Sequence, residues 1–455
     1  MQKVILNFIP RPTRKGNEVG LLIEKCLLDW GMERIFTITV DNASSNDTTV
    51  AYLRRKFVNW GTVVLGGKFM HMRCVAHIVN LIVKECLKEL NESVEHVRTI
   101  VRYVRQSLDK LKKFNDFVGE EKIESKRSLC LDVPAKWDSI NTMLETAMFF
   151  QGVFERCEVS DADFRSDFMP SGPYGKIGLP TKYDWVVVER FVKVLQYFYK
   201  LIDQISGSLH VTSNTFLDEI SEVDYILKEW LGSDDDIFVN MARQIKVKFD
   251  KYWGDVEKMN MILYVPIMLD PRLKFSYVDY VLKNMYGLEH GQQMENLAKS
   301  ALYDVFEEYR KLYSSTTSHS SCTTPSESGH HDLTERMVIR ARRKKKYQQM
   351  IYEIRGMDQS ELDIYLHEEF VNDSPTFDII DWWKSHSPKF SILSRLTRDL
   401  LAMHISTMAT ESAFSIGGCI IDNFLASLPP KMTQALICCQ DWIRHTPIKP
   451  IKGII

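Results

Sequence analysis

The chain reads as an α/β unit followed by a long, all-helical body, and three observations lead there. Short runs rich in β-branched and aliphatic residues are confined to the first part of the chain, at Val4 to Phe8, Ile35 to Val40 and Val63 to Leu65, as in short strands. From about Ser93 onward apolar residues recur mostly at helical spacing. Turn-forming clusters at Pro170 to Pro180 and at Leu269-Asp270-Pro271-Arg272-Leu273-Lys274 cut that helical pattern without introducing strands.

Taken in order, Val4 to Phe8 is expected as a strand, followed by a polar loop and an amphipathic helix with Val19, Leu22, Ile23 and Cys26 on one face, ended at Gly31. Ile35 to Val40 alternates as a strand and delivers Asp41 at its C-terminal end, and the Asn/Ser cluster that follows starts a helix. Val63 to Leu65 is expected as a further strand before a helix carrying Cys74-Val75-Ala76-His77. Long helices then run to Val153, interrupted at Val133 to Trp137, and again from Trp185 to about Tyr313. The Ser/Thr tract Ser314 to Ser328 lacks the apolar residues to build a core and is expected to be disordered. After it comes the one dense basic block, Arg336, Arg340, Arg342, Arg343, Lys344, Lys345 and Lys346, and then a compact helical unit from Glu361 to Arg444.

Composition narrows the classes. With 455 residues, 45% hydrophobic and 26% charged, the chain has an ordinary globular composition and length for roughly two or three domains. No apolar run approaches the ~18 residues of a membrane-spanning helix, and the opening segment is too short in apolar residues for a secretion signal. An intracellular protein with no membrane partner is expected. Nine cysteines lie scattered at 26, 74, 86, 130, 157, 322, 419, 438 and 439, the pattern of reduced thiols rather than of a disulfide framework. A net charge of −2 excludes a general polyanion binder, so any DNA contact must come from local patches.

Asp41 at the end of a strand suits a metal ligand, because the sheet fixes the carboxylate while the open end leaves room for water and phosphate. On the local pattern alone, a carboxylate that merely caps the following helix is favoured over a ligand. Glu411, before Gly417-Gly418, is by itself a solvated helix glutamate. Cys74 and His77, with His71 at the same spacing, suggest zinc, but a structural site needs four ligands and no second pair stands out, so no metal site is expected. Trp382, Trp383 and Trp442 read as core or interface aromatics.

Several strings, in order, give a more specific reading. Asp41-Asn42-Ala43-Ser44-Ser45-Asn46-Asp47, Cys74-Val75-Ala76-His77, the site around Trp137, Leu269-Asp270-Pro271-Arg272, Glu411-Ser412-Ala413-Phe414-Ser415 and Asp441-Trp442-Ile443-Arg444 closely resemble hAT-family DNA transposases, most like the plant BED-finger, RICESLEEPER-like subgroup. The resemblance covers nearly the whole chain. It implies an incomplete RNase H-like sheet with a large helical insertion and a C-terminal helical dimerisation region. The expected division is residues 1–155 as a partial RNase H-like region, 156–313 as the insertion, 314–347 as a linker and 348–455 as the dimerisation region.

The resemblance also assigns roles. Asp41 matches the second and Glu411 the third catalytic acid; Cys74 and His77 match a motif near the active site, and Trp137 the aromatic of an Arg-Trp motif whose arginine is here Lys136. Lys136 keeps the charge but not the bidentate phosphate geometry. Lys136 and the block Arg340, Arg342, Arg343, Lys344, Lys345 and Lys346 are candidate DNA contacts, and Leu436 and Trp442 are candidate dimerisation residues. The family's first acid and its BED zinc finger would precede Val4, and Cys419 stands where an arginine is usual. The expectation is therefore a transposase-derived nuclear protein, catalytically inactive, pairing with itself or a related hAT chain, with DNA and transcriptional regulation as its field of action. No cofactor is expected, and Mg or Mn only where cleavage is retained. The alternatives are an active metal-dependent transposase and a non-enzymatic helical interaction protein or functionless fragment.

Overall fold

Helices α1 (Gly16–Asp29) and α2 (Ser44–Asn59) lie side by side because glycines let them meet closely. A Cβ on Gly16 would stand 2.4 Å from the Ser45 carbonyl oxygen, and one on Gly20 would stand 2.6 Å from the Tyr52 ring. One turn further, Glu24 accepts from the Tyr52 hydroxyl at 2.6 Å and pairs with Lys56 at 3.4 Å. The register advances together along both helices, so they run parallel, as the strand between them requires. The computed structural model describes residues 5–7, 15–32, 34–89, 91–132, 137–175, 177–206, 211–255, 259–314, 360–407 and 429–445.

That strand, β1 (Ile38–Val40), pairs in parallel with β2 (His71–Arg73) in the register Ile38 to His71, Thr39 to Met72 and Val40 to Arg73. A lone parallel bridge joins Ile35 to Val63. Among the described residues the sheet has these two strands. Leu53, Phe57 and Met70 form a small core of their own here, with Ile23, Leu27, Ile35, Ile38 and Val63 around it.

Two expected strands are corrected. Ile5 to Asn7, the described part of Val4 to Phe8, is not a strand; Ile5 and Asn7 instead accept hydrogen bonds from Trp442 and Gln434 near the chain's other end. Val63 to Leu65 contributes one bridge and then turns, because Leu65, Gly66 and Gly67 take positive φ of 49°, 59° and 75°. The pairing strand is His71–Arg73, which carries no β-branched residue and so gave no strand signal. Cys74 stands between β2 and α3 (Val75–Glu89), at the helix entrance and outside the helix.

The body is helical as expected: α4 (Asn91–Arg105), α5 (Leu108–Glu120), α6 (Trp137–Phe149), α7 (Gln151–Ser160), α8 (Ala162–Phe168), α9 (Lys182–Ser206), α10 (Phe216–Leu231), α11 (Asp236–Trp253), α12 (Val265–Met268), α13 (Lys274–Tyr286) and α14 (Leu288–Ser314). Helix α9 is central: Val188, Phe191, Leu195, Phe198 and Ile202 recur every three to four residues and bury one stripe against α3, α4 and α6. Helix α7 runs through the expected boundary at 155, and one continuous apolar core extends from Phe69 to Ile405. The tract after Ser314, including the basic block, lies outside the described residues.

The Leu269 to Lys274 break is the dock for the C-terminal helices α15 (Glu361–His367), α16 (Ile379–His386) and α17 (Ser391–Leu401). Trp383 Nε1 donates to the Leu269 carbonyl at 2.9 Å, and the Val371 amide donates to Pro271 at 3.1 Å. Lys274 Nζ donates to the carbonyls of Tyr365 and Glu368 at 2.8 and 2.6 Å, with its pKa lowered by burial. Asp270, fully buried, accepts from the Arg272 side chain at both oxygens, and Arg272 reaches on to Asp373 at 2.7 Å. A last helix, α18 (Pro430–His445), stands apart from these three in sequence.

Candidate functional site

Asp41 follows Val40 directly and leaves the sheet at the C-terminal end of β1. Its Oδ1 accepts from the Ala43 amide at 2.9 Å and from the Asn46 side-chain amide at 2.6 Å, and Asn46 also donates to the Asp41 carbonyl at 3.2 Å. These bonds close an Asx turn ahead of α2; the expected helix cap is corrected, because the residue preceding the helix is Ala43 and no side chain accepts from the first-turn amides. The carboxylate is otherwise exposed. Beside it is a residue that sequence reasoning passed over: both polar atoms of the Asn42 side-chain amide are buried without a partner. The signal was its place in the same Asp-Asn-Ala-Ser-Ser-Asn string.

Cys74 ties three parts of the chain together. Its amide donates to the Val40 carbonyl at 2.8 Å, continuing the β1–β2 pairing. Its buried Sγ accepts from the His77 amide at 3.3 Å and from both the amide and the hydroxyl of Thr407 at 3.1 Å. The Val75 amide donates to the Ile405 carbonyl at 2.9 Å, and the Thr39 hydroxyl donates to the His404 carbonyl. The segment after α17 is thus stitched along β1 and leaves Thr407 close to the Asp41 end of the sheet. Glu411 itself lies outside the described residues, as do Lys136 and Arg340, Arg342, Arg343, Lys344, Lys345 and Lys346. Trp137 opens α6.

On β2, Arg73 and His71 both face Asp47, at 3.6 and 3.9 Å. Burial lowers the His71 pKa, Asp47 opposes that shift and Arg73 adds to it. Asp47 is thereby engaged with a cation on the strand next to Asp41's own. Among the described residues no group of three or more His, Cys, Asp or Glu side chains could hold a metal ion. The described carboxylates therefore do not by themselves make a two-metal site.

The two candidate interface residues fall on α18. Leu436 is exposed, while Ile437 and Cys438 turn inward. Trp442 donates from Nε1 to the Ile5 carbonyl at 2.9 Å and meets the edge of Trp30 with ring centroids 5.8 Å apart at 78°. Among the described residues no helix is long and apolar enough to cross a membrane.

Four family models match along the chain: the ZBED1 RNase-like domain at residues 1–69, the ZBED1 RNase-like helical domain at 72–192, the hAT-like transposase, RNase-H fold at 214–309, and the hAT family C-terminal dimerisation region at 361–443. The zinc finger BED domain-containing protein RICESLEEPER 2 of Oryza sativa subsp. japonica is 28% identical across 95% of this chain and 59% of its own length. RICESLEEPER 1 of the same organism is 27% identical across 99% of this chain and 62% of its own length. The putative AC transposase of Zea mays is 27% identical across 97% of this chain and 53% of its own length. The chain thus spans 53–62% of the length of these relatives.

Proposed function

We propose that this chain, which belongs to the hAT transposase family, is a transposase-derived nuclear protein that pairs through its C-terminal region and, taken alone, does not cut DNA. The match of residues 361–443 to the family's dimerisation region carries the reading. The exposed apolar face of α18, with Leu436 and Trp442, supports it. The inactive state is supported by the engagement of Asp41 Oδ1 in an Asx turn with Ala43 and Asn46 and by the pairing of Asp47 with Arg73. DNA binding and transcriptional regulation are the proposed setting, because relatives carry the names of transposases and of BED zinc-finger proteins.

One observation favours the second reading, an active metal-dependent transposase. Thr407, four residues before Glu411, is held on Cys74 Sγ, and the Cys74 amide is bonded to Val40, next to Asp41. The chain that leads to Glu411 therefore departs from the neighbourhood of Asp41, as a shared Mg or Mn site would need. A cleavage assay on end-labelled duplex DNA with Mg²⁺ or Mn²⁺, run beside a sedimentation measurement of mass, separates the two. Dimer without cleavage supports the proposal; cleavage abolished by Asp41→Ala and by Glu411→Ala supports the second reading and overturns the inactive one.

A further inference from the structure

The parallel register of α1 and α2 brings their C-terminal ends together. Gly16 faces Ser45, Gly20 faces Tyr52 and Glu24 faces Lys56, and Leu27 packs on the small core that holds Phe57, so the last turns of both helices lie at one end. Where a globular protein would place polar residues, this end exposes Leu28, Trp30 (45%), Met32, Val58 and Trp60 (39%). Phe57 and Trp60 meet edge to face at 5.2 Å, so the Trp60 ring rests on the small core beneath.

This surface continues onto α18 through one contact. The Trp30 ring meets Trp442 edge-on, and α18 adds exposed Met432, Leu436 and Trp442 (37%). Taking ~250 Å² for a full indole side chain, the three tryptophans alone expose roughly 300 Å². With five further large apolar residues around them, the surface reaches the size of the largest apolar patch on a typical monomer, about 300–600 Å², which is often functional. A patch of this size and aromatic content is the composition of an interface centre.

We infer that the joined ends of α1 and α2 are part of the surface on which a second copy of this chain docks, the other part being α18. The inference rests on the proposed pairing through the C-terminal region and names a surface that lies some 400 residues upstream of it. The second copy is the occupant because the patch is continuous with α18, which belongs to the segment matching the hAT family dimerisation region. A two-fold arrangement places the same apolar end on both sides, which is self-complementary without any charge pairing.

The test is sedimentation equilibrium on the full chain and on Met32→Glu, Val58→Glu, Leu436→Glu and, as a control, Leu288→Glu on the exposed start of α14. Far-ultraviolet circular dichroism and thermal melts verify that each variant is folded. The expected result is a wild-type dimer whose dissociation constant rises at least tenfold in Met32→Glu, Val58→Glu and Leu436→Glu and stays unchanged in Leu288→Glu. If Leu436→Glu dissociates the dimer while Met32→Glu and Val58→Glu leave it intact, the α1–α2 surface is overturned and pairing through α18 stands. A wild-type monomer overturns both. Using two variants on the α1–α2 ends keeps the outcome readable should one fail to fold.

Discussion

Arg272→Ala should be among the most damaging single changes outside the apolar core. Asp270 is fully buried and its two oxygens take Arg272 Nε at 3.0 Å and Nη2 at 2.7 Å, while the Arg272 backbone amide at 3.0 Å and Asn214 at 3.3 Å complete the shell. Removing the guanidinium leaves a carboxylate in the interior with two neutral donors. Breaking one side of a buried ion pair typically costs about 3–5 kcal/mol. Because the Arg272 side chain is itself a quarter exposed, at 26%, and the backbone donor survives, the lower end, about 3 kcal/mol, is expected. The lost bond to Asp373, an exposed partner, adds at most about 1 kcal/mol. Urea unfolding followed by circular dichroism reads the total, and limited proteolysis between Glu368 and Phe377 reads the release of the docked C-terminal helices. The double variant Asp270→Asn with Arg272→Met, which removes the charge from both sides, should recover at least half of the loss. A loss below about 1 kcal/mol, or a double variant no better than the single one, would refute the clasp as the anchor of α15 to α17.

Three further outcomes follow from particular contacts. Cys74→Ala strips the acceptor shared by His77 and Thr407 and should cost about 1–3 kcal/mol, with faster hydrogen exchange at the Val75 and Thr407 amides; unchanged exchange there would sink the idea that the thiol stitches the C-terminal segment to the sheet. Gly16→Val forces a side chain against the Ser45 carbonyl and should separate α1 from α2, costing about 1–3 kcal/mol and losing exchange protection across α1, whereas a neutral effect would contradict the close approach. Asp184 is disfavoured as an anion by burial, yet hydrogen bonds from Ser93, Thr181 and His96 outweigh this and hold its pKa at about 2, below the ordinary 3.8. Its stabilisation is therefore complete above the unfolded value and is lost as pH falls through about 2. The stability gap between wild type and Asp184→Asn should shrink from pH 5 toward pH 2, and a gap constant across that range would refute the linkage.

How much of this was legible in the sequence depends on whether the signal was local. The helical body was, because long runs such as Val188 to Ile205 carry their burial stripe openly. So was the strand that ends at Asp41, where β-branched residues alternate. His71–Arg73 was not: its strand conformation is imposed by β1 and by the buried Met72, and none of its residues favours a strand. Val63 to Leu65 misled in the opposite sense, since two glycines at positive φ turn the chain before a ladder can form. The Cys74-to-His77 spacing gave no sign that the thiol, besides accepting from the His77 amide, also accepts from Thr407, 333 residues away, a contact that no local pattern contains. The same holds for the Leu269 to Lys274 string, which reads as a helix break and in the fold clasps the C-terminal helices.

That clasp bears on which part of the matched dimerisation region is free to meet another molecule. In its first half, Leu362, Tyr365, Trp383, Phe390, Leu393, Leu396 and Leu400 are buried in the chain's own core. Trp383 packs between Tyr365 and Phe390 and donates to Leu269, so its indole is spent on intramolecular contacts. A partner could reach these residues only by displacing the helical body, at the cost of a buried ion pair and several large side chains. The second half is different: among its described residues α18 buries Ile437 and Cys438 and leaves Met432 and Leu436 exposed, while Trp442, 37% exposed, rests on Trp30 and Ile5. The described residues of this family segment thus divide into a part that completes the protein's own core and a part whose apolar side chains stay exposed. Substitutions in the first should register as lost stability, and those in the second as lost mass.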